Sequence, residues 1–148
     1  MSLGKNDVIV RLREARDARA GCAIATVLDD DRARGFPFAT VVPFGLDGQD
    51  RVVIVVSDLA VHTRNLRRDP RASVAIAEPG ADPQRGWRLS IVGRFVEDDR
   101  ARAAYAGTWP IPALPDFHAF VLQPRTARLV AGFGAMAWIE LGAASDEP

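Results

Sequence analysis

Cysteine is nearly missing from this 148-residue chain. Cys22 stands alone, so no disulfide, cysteine-based zinc site or CxxC redox pair can form within one chain, and a reducing compartment is the simplest address. Lysine is just as scarce: Lys5 is the only one, which argues against Schiff-base chemistry with pyridoxal phosphate and against a P-loop. Net charge is absent too, with 19 basic residues against 19 acidic ones. Anion recognition must therefore be local, and neither nucleic acid nor an anionic membrane is an expected partner. No apolar run is long enough to span a bilayer, and Met1 to Lys5 is too short and polar for a signal peptide. The expectation is a cytoplasmic protein.

What is present is ordinary globular material, 48% hydrophobic and 26% charged, enough for one domain over residues 1–148, with 1–5 and 142–148 flexible. Asn6 or Asp7 caps a first helix that ends at Gly21, with Val8, Leu12 and Ala15 on its buried face. From there the period changes to that of strands. Apolar runs cover Cys22 to Leu28, Phe36 to Leu46 with an edge or bulge at Pro43, Val52 to Val56, Ala72 to Ala77 and Trp87 to Val96. On the last, Trp87, Leu89, Ile91, Gly93 and Phe95 share one face, and Arg88, Ser90, Val92 and Arg94 the other. A helix over Asp98 to Trp109 precedes strands at His118 to Gln123, Ala127 to Ala131 and Met136 to Leu141. Antiparallel strands with a few helices predict a mainly β fold, a small barrel with flanking helices.

The richest segment for chemistry is Ser57 to Arg71, read as a helix capped by Ser57 or Asp58. Its first-turn amides and dipole favour an anion, and Ser57, His62, Thr63 and Arg64 offer groups for several phosphate oxygens. The alternative is a capped, solvated, arginine-rich surface helix. Arg64, Arg67, Arg68 and Arg71 would point in different directions, as on a solvated face. Asp29 to Asp31 reads as a hairpin turn and no metal site is expected. No side chain marks itself as an acid or base, so no catalytic residue is assigned.

Thr40-Val41-Val42-Pro43-Phe44, Ser57 through Ser73, Gly93 and the stretch Gly132-Phe133-Gly134-Ala135-Met136-Ala137-Trp138-Ile139 together resemble the pyridoxamine-phosphate-oxidase-like, flavin-binding split-barrel superfamily. The His62-Thr63-Arg64-Asn65-Leu66 helix and the Gly132-Phe133-Gly134 ending look most like its haem-utilisation branch. The resemblance implies a six-stranded antiparallel Greek-key split barrel and a homodimer with flavin mononucleotide (FMN) at the subunit interface. It further implies Thr40, Val41 and Val42 along the flavin ring, Ser57, His62, Thr63, Arg64 and Asn65 around the phosphate, and Arg88 and Trp138 from the partner subunit. The function implied is a flavin-dependent oxidoreductase of unassigned substrate. The alternatives are haem binding or breakdown on the same barrel, or a non-catalytic dimer that binds a deazaflavin or another phosphorylated cofactor. Ala135 stands where many relatives carry an arginine. A homodimer is also expected because the Val41–Val42 and Trp87 to Phe95 strands have more apolar surface than one small barrel encloses.

Overall fold

The computed structural model describes residues 2–132 and 134–142, and its first helix differs at both ends from the expectation. α1 spans Lys5–Asp17, with extended Gly4 before it. The Gly4 N–H donates to Asp7 Oδ2 at 2.7 Å, so Asp7 works from inside the first turn and Lys5 is helical. The helix stops at Asp17, short of Gly21, where the chain turns through Arg19 at φ +53°. Val8, Leu12 and Ala15 are buried, as their spacing requires.

Eight strands follow among the described residues: β1 (Gly21–Val27), β2 (Pro37–Pro43), β3 (Gly45–Leu46), β4 (Val52–Ser57), β5 (Arg71–Ala77), β6 (Arg88–Glu97), β7 (Phe117–Val130) and β8 (Met136–Glu140). They form one antiparallel sheet in the order β2-β1-β5-β6-β7-β4-β3, with β8 also on β7. The second apolar run of the sequence supplies both ends of that order. Its first half pairs with β1 and its last two residues with β4. The run bends at Pro43 and Phe44, because a proline cannot donate to a ladder, and the bend curls the sheet into a split barrel. The strand count exceeds the six of the family pattern for this reason and because β8 adds to β7. The stretches 118–123 and 127–131, read as separate strands, are instead one long strand, β7, with a register shift opposite Val92 and Gly93.

The main core fills the curl, with Ile24, Val74, Ile91, Phe95 and Leu122 closed over by Val8 and Leu12 of α1. A second, smaller core lies on the other face of β4 and β7, where Val53, Val55, Ala119 and Val121 pack on Ala101 and Tyr105. Burial on both faces explains why Val52 to Val56 is an unbroken apolar run. That core is covered by a three-residue 3₁₀ turn, Asp99–Ala101, leading into α3 (Arg102–Ala106), shorter than the helix expected over 98–109. Trp109 lies beyond α3, and its indole N–H donates to the Phe44 carbonyl at 3.1 Å. The remaining helix, α2, covers Val61–Arg68. No helix among the described residues is long and apolar enough to cross a membrane.

Candidate functional site

The sequence candidates fall in two places. The first is the start of α2, which begins at Val61, with Ala60 at the cap position in place of the expected Ser57 or Asp58 and no side-chain cap. Ser57 and Asp58 are consumed in the turn before it. The Ser57 hydroxyl donates to Asp116 Oδ2 at 2.7 Å and accepts the Leu59 N–H, while its carbonyl accepts the Ala60 N–H and the Thr63 hydroxyl, the latter at 2.6 Å. The Asp58 carboxylate binds Arg67 at 2.7 Å and faces His118 Nε2 at 3.3 Å. Its bond to Arg67, aided by His118, holds this carboxyl below the usual carboxylate range. Two carboxylates thus flank the turn, an unfavourable setting for a phosphate.

Thr63 and Asn65 are 0% exposed. Asn65 donates to Thr26 Oγ1 at 3.0 Å and accepts the Asp29 N–H at 2.8 Å, so its amide ties α2 to the end of β1. Besides Arg68 on its last turn, two groups near the start of this helix remain free for a ligand. Arg64 is exposed, with one long contact of 3.4 Å to the Asp29 carbonyl. His62 makes no hydrogen bond among the described residues, and burial lowers its pKa, which favours the neutral ring at pH 7. Arg67 and Arg71 are paired, with Asp58 and Glu97 and with Asp69 respectively. The Asp29 to Asp31 turn binds Arg32 and Arg34, as a solvated hairpin would.

The second place is the outer face of the sheet. Register puts Val41, Ala23, Ala75, Ser90, Arg128 and Trp138 in one row across six strands. A parallel row holds Ala39, Ala25, Ser73, Val92, Thr126 and Glu140. Val41 and Trp138, at opposite ends of the first row, are 75% and 64% exposed. In the first row the three middle positions, Ala23, Ala75 and Ser90, carry side chains no larger than serine, because Ile24, Val74, Ile76, Leu89 and Ile91 beside them alternate inward, whereas Val92 stands out of the second row. Thr40 and Val42 alternate inward as well, so only Val41 of that trio presents its side chain here. Arg88 is exposed on β6 with its guanidinium on the Pro83 carbonyl. Arg128 lies over the Trp138 ring, 5.6 Å from the centroid, and covers one of its two faces.

The structure therefore brings Val41, Arg88 and Trp138 to one surface and leaves Ser57, His62, Thr63, Arg64 and Asn65 at the end of the barrel. Sequence reasoning missed Ala23, Ala75 and Arg128, whose role depends on cross-strand register. Phe133 and residues 143–148 lie outside the described residues. Among those described, no group of three or more His, Cys, Asp or Glu side chains is arranged to hold a metal ion. Cys22 is buried, with its thiol pushed up to about 12, and is inert.

The family model described as pyridoxamine 5'-phosphate oxidase matches residues 11–131. The chloroplastic heme oxygenase HOZ of Arabidopsis thaliana is 34% identical over 121 residues, which are 76% of this chain and 37% of that protein. A heme binding protein from Mycobacterium smegmatis, of known structure, is 31% identical with a TM-score of 0.75, over 89% of this chain and 57% of that one. The chain thus spans about a third to a little over half the length of these two relatives. HutZ, the heme storage protein of Vibrio cholerae, shares the fold with a TM-score of 0.61 and 22% identity, over 89% of this chain and 96% of that one.

Proposed function

The chain belongs to the pyridoxamine 5'-phosphate oxidase family, and on that premise we propose that it is a haem-binding split-barrel protein holding the macrocycle on the outer face of its sheet, between two copies of the chain. The outer face carries the reading. A flat apolar ring needs a floor without protruding side chains, which Ala23, Ala75 and Ser90 supply across three neighbouring strands, or roughly 10 Å at the usual strand spacing. It also needs a wall and counter-charges. Trp138 offers one free ring face at the end of the row, and Arg88 and Arg128 stand beside the floor without a carboxylate partner among the described residues. The relatives named for haem, at 34% and 31% identity, support the same ligand.

Haem iron, when bound, supplies redox and oxygen chemistry; the protein supplies binding, orientation and exclusion of water. Of the side-chain types that ligate such iron, these strands present Met136 on the outer face, 55% exposed. His62 lies on α2, neutral and free, and His118 is engaged with Asp58. Titrating haemin into the purified protein should give a Soret band that saturates near one equivalent per chain. Trp138→Ala should weaken binding roughly three- to tenfold through loss of ring stacking. No Soret band, or a yellow protein with a flavin spectrum, would overturn the haem reading.

FMN is the second reading, favoured by the family itself and by His62 and Arg64, which stay free at the start of α2. A homodimer is common to both readings. Val41, Val92 and Trp138 share one exposed face, and a two-fold axis through it would pair each copy's floor with the other's rim. Light scattering at micromolar concentration should return the dimer mass. A monomer-sized particle would remove the second wall of the proposed site.

A further inference from the structure

We infer that Arg94 and Arg125, brought together by a β-bulge between β6 and β7, form an oxyanion-binding site at one end of the outer face, serving the carboxylates of the ligand proposed above. The ligand's identity rests on the haem reading; the site stands on its own geometry. Val92 pairs with Thr126, but the next residue, Gly93, pairs with Pro124, which leaves Arg125 as the extra residue of β7. Bulges re-aim a side chain. Two features place this one. Pro124 has no N–H for the ladder, and Gly93 lets the strands approach so closely that a Cβ there would lie 2.2 Å from the Gln123 carbonyl oxygen. The bulge is also pinned from outside, since the Arg125 carbonyl accepts the N–H groups of Leu141 at 2.9 Å and Gly142 at 3.1 Å.

Arg94 and Arg125 both line a groove of about 790 Å³, together with Arg71, Ala25, Ser73 and Val92. Ten of the eighteen arginines, Arg71 of this groove among them, have carboxylate partners among the described residues, and eight have none. Arg94 and Arg125 have none among the described residues. Asp69, which feels the charge of Arg94, is already bound by the guanidinium of Arg71. Two unmatched guanidinium forks on one groove, in a chain of zero net charge, suit bidentate recognition of a carboxylate or phosphate.

The test compares ligands with and without the anionic arm on the parent protein and on the Arg94→Gln/Arg125→Gln double variant, after equal melting temperatures confirm that both are folded. The probes are haemin against its dimethyl ester and FMN against riboflavin. The parent should prefer the anionic member of one pair. The double variant should lose that preference by about ten- to a hundredfold while binding the uncharged member as before. Loss within the haemin pair identifies carboxylates, and loss within the FMN pair identifies phosphate. A preference kept in the double variant within twofold, or no preference for either anion in the parent, overturns the site. A parent that binds neither porphyrin overturns the haem reading alone, because the flavin pair still decides the arginines.

Discussion

Gly93→Ala is expected to cost about 3 kcal/mol of stability, read as a lower urea midpoint at an unchanged denaturant slope. The added methyl would sit 2.2 Å from the Gln123 carbonyl oxygen and 3.0 Å from Pro124 Cα, all backbone atoms of the neighbouring strand. No rotamer change can relieve a contact between a Cβ and a main chain. The strands must separate, and separation breaks the ladder between β6 and β7, the longest in the sheet. By contrast, an alanine at Gly35 would meet nothing within 4 Å and would bear only the strain of its φ of +85°. If Gly93→Ala unfolded at the parent midpoint, the close approach at the bulge would be wrong, and with it the placement of Arg125.

Asn65→Ala should destabilise the ligand-free protein by about 2 kcal/mol. Its side chain is fully buried and holds the Thr26 hydroxyl of β1 and the Asp29 N–H of the turn after it. Truncation leaves the buried Thr26 hydroxyl and the half-buried Asp29 amide without this partner where α2 meets the end of β1, and losing a buried hydrogen-bond partner costs about 1–3 kcal/mol. Thermal or urea denaturation without added ligand measures this directly. A residue whose task is to touch a cofactor would behave otherwise, leaving the ligand-free protein as stable as the parent and lowering only affinity. An unchanged midpoint would return Asn65 to the ligand.

These two residues also mark where the sequence was readable. The alternation of Trp87 to Val96 gave the faces of β6 correctly, because a half-buried strand imposes period two on its side chains. Gly93 fell on the inward face as expected, yet its reason, a bulge on a strand more than thirty residues later, has no local signature. Pro124 and Arg125 look like a break between strands and are in fact the irregularity within one. The sequence predicts the helix after β4 but starts it too early, since α2 begins at Val61. Ser57 and Asp58 are good caps by residue type, and their groups were taken instead by Asp116, Arg67 and His118. Those three residues are distant in the chain or on the far turn of the helix, so composition could not reveal the competition. The outer-face row is the extreme case. Ala23, Ala75 and Ser90 are unremarkable residues whose meaning lies in pairing across three strands.

The topology also sets a timetable for synthesis. Among the described residues β4 has no ladder partner beyond the two residues of β3 until β7 is made, and the Ser57 to Asp116 bond that seals the end of that pairing spans 59 residues. At roughly 5–20 residues per second on the ribosome, Val52 to Val56 waits about 3–12 s for its partner. During that interval five consecutive aliphatic residues of high β propensity stand with one edge open, the composition that invites pairing between nascent chains. A chain interrupted before Phe117 would keep that edge open indefinitely, which makes the passage from α3 to β7 the stretch where a ribosomal pause is most hazardous to the yield of folded protein.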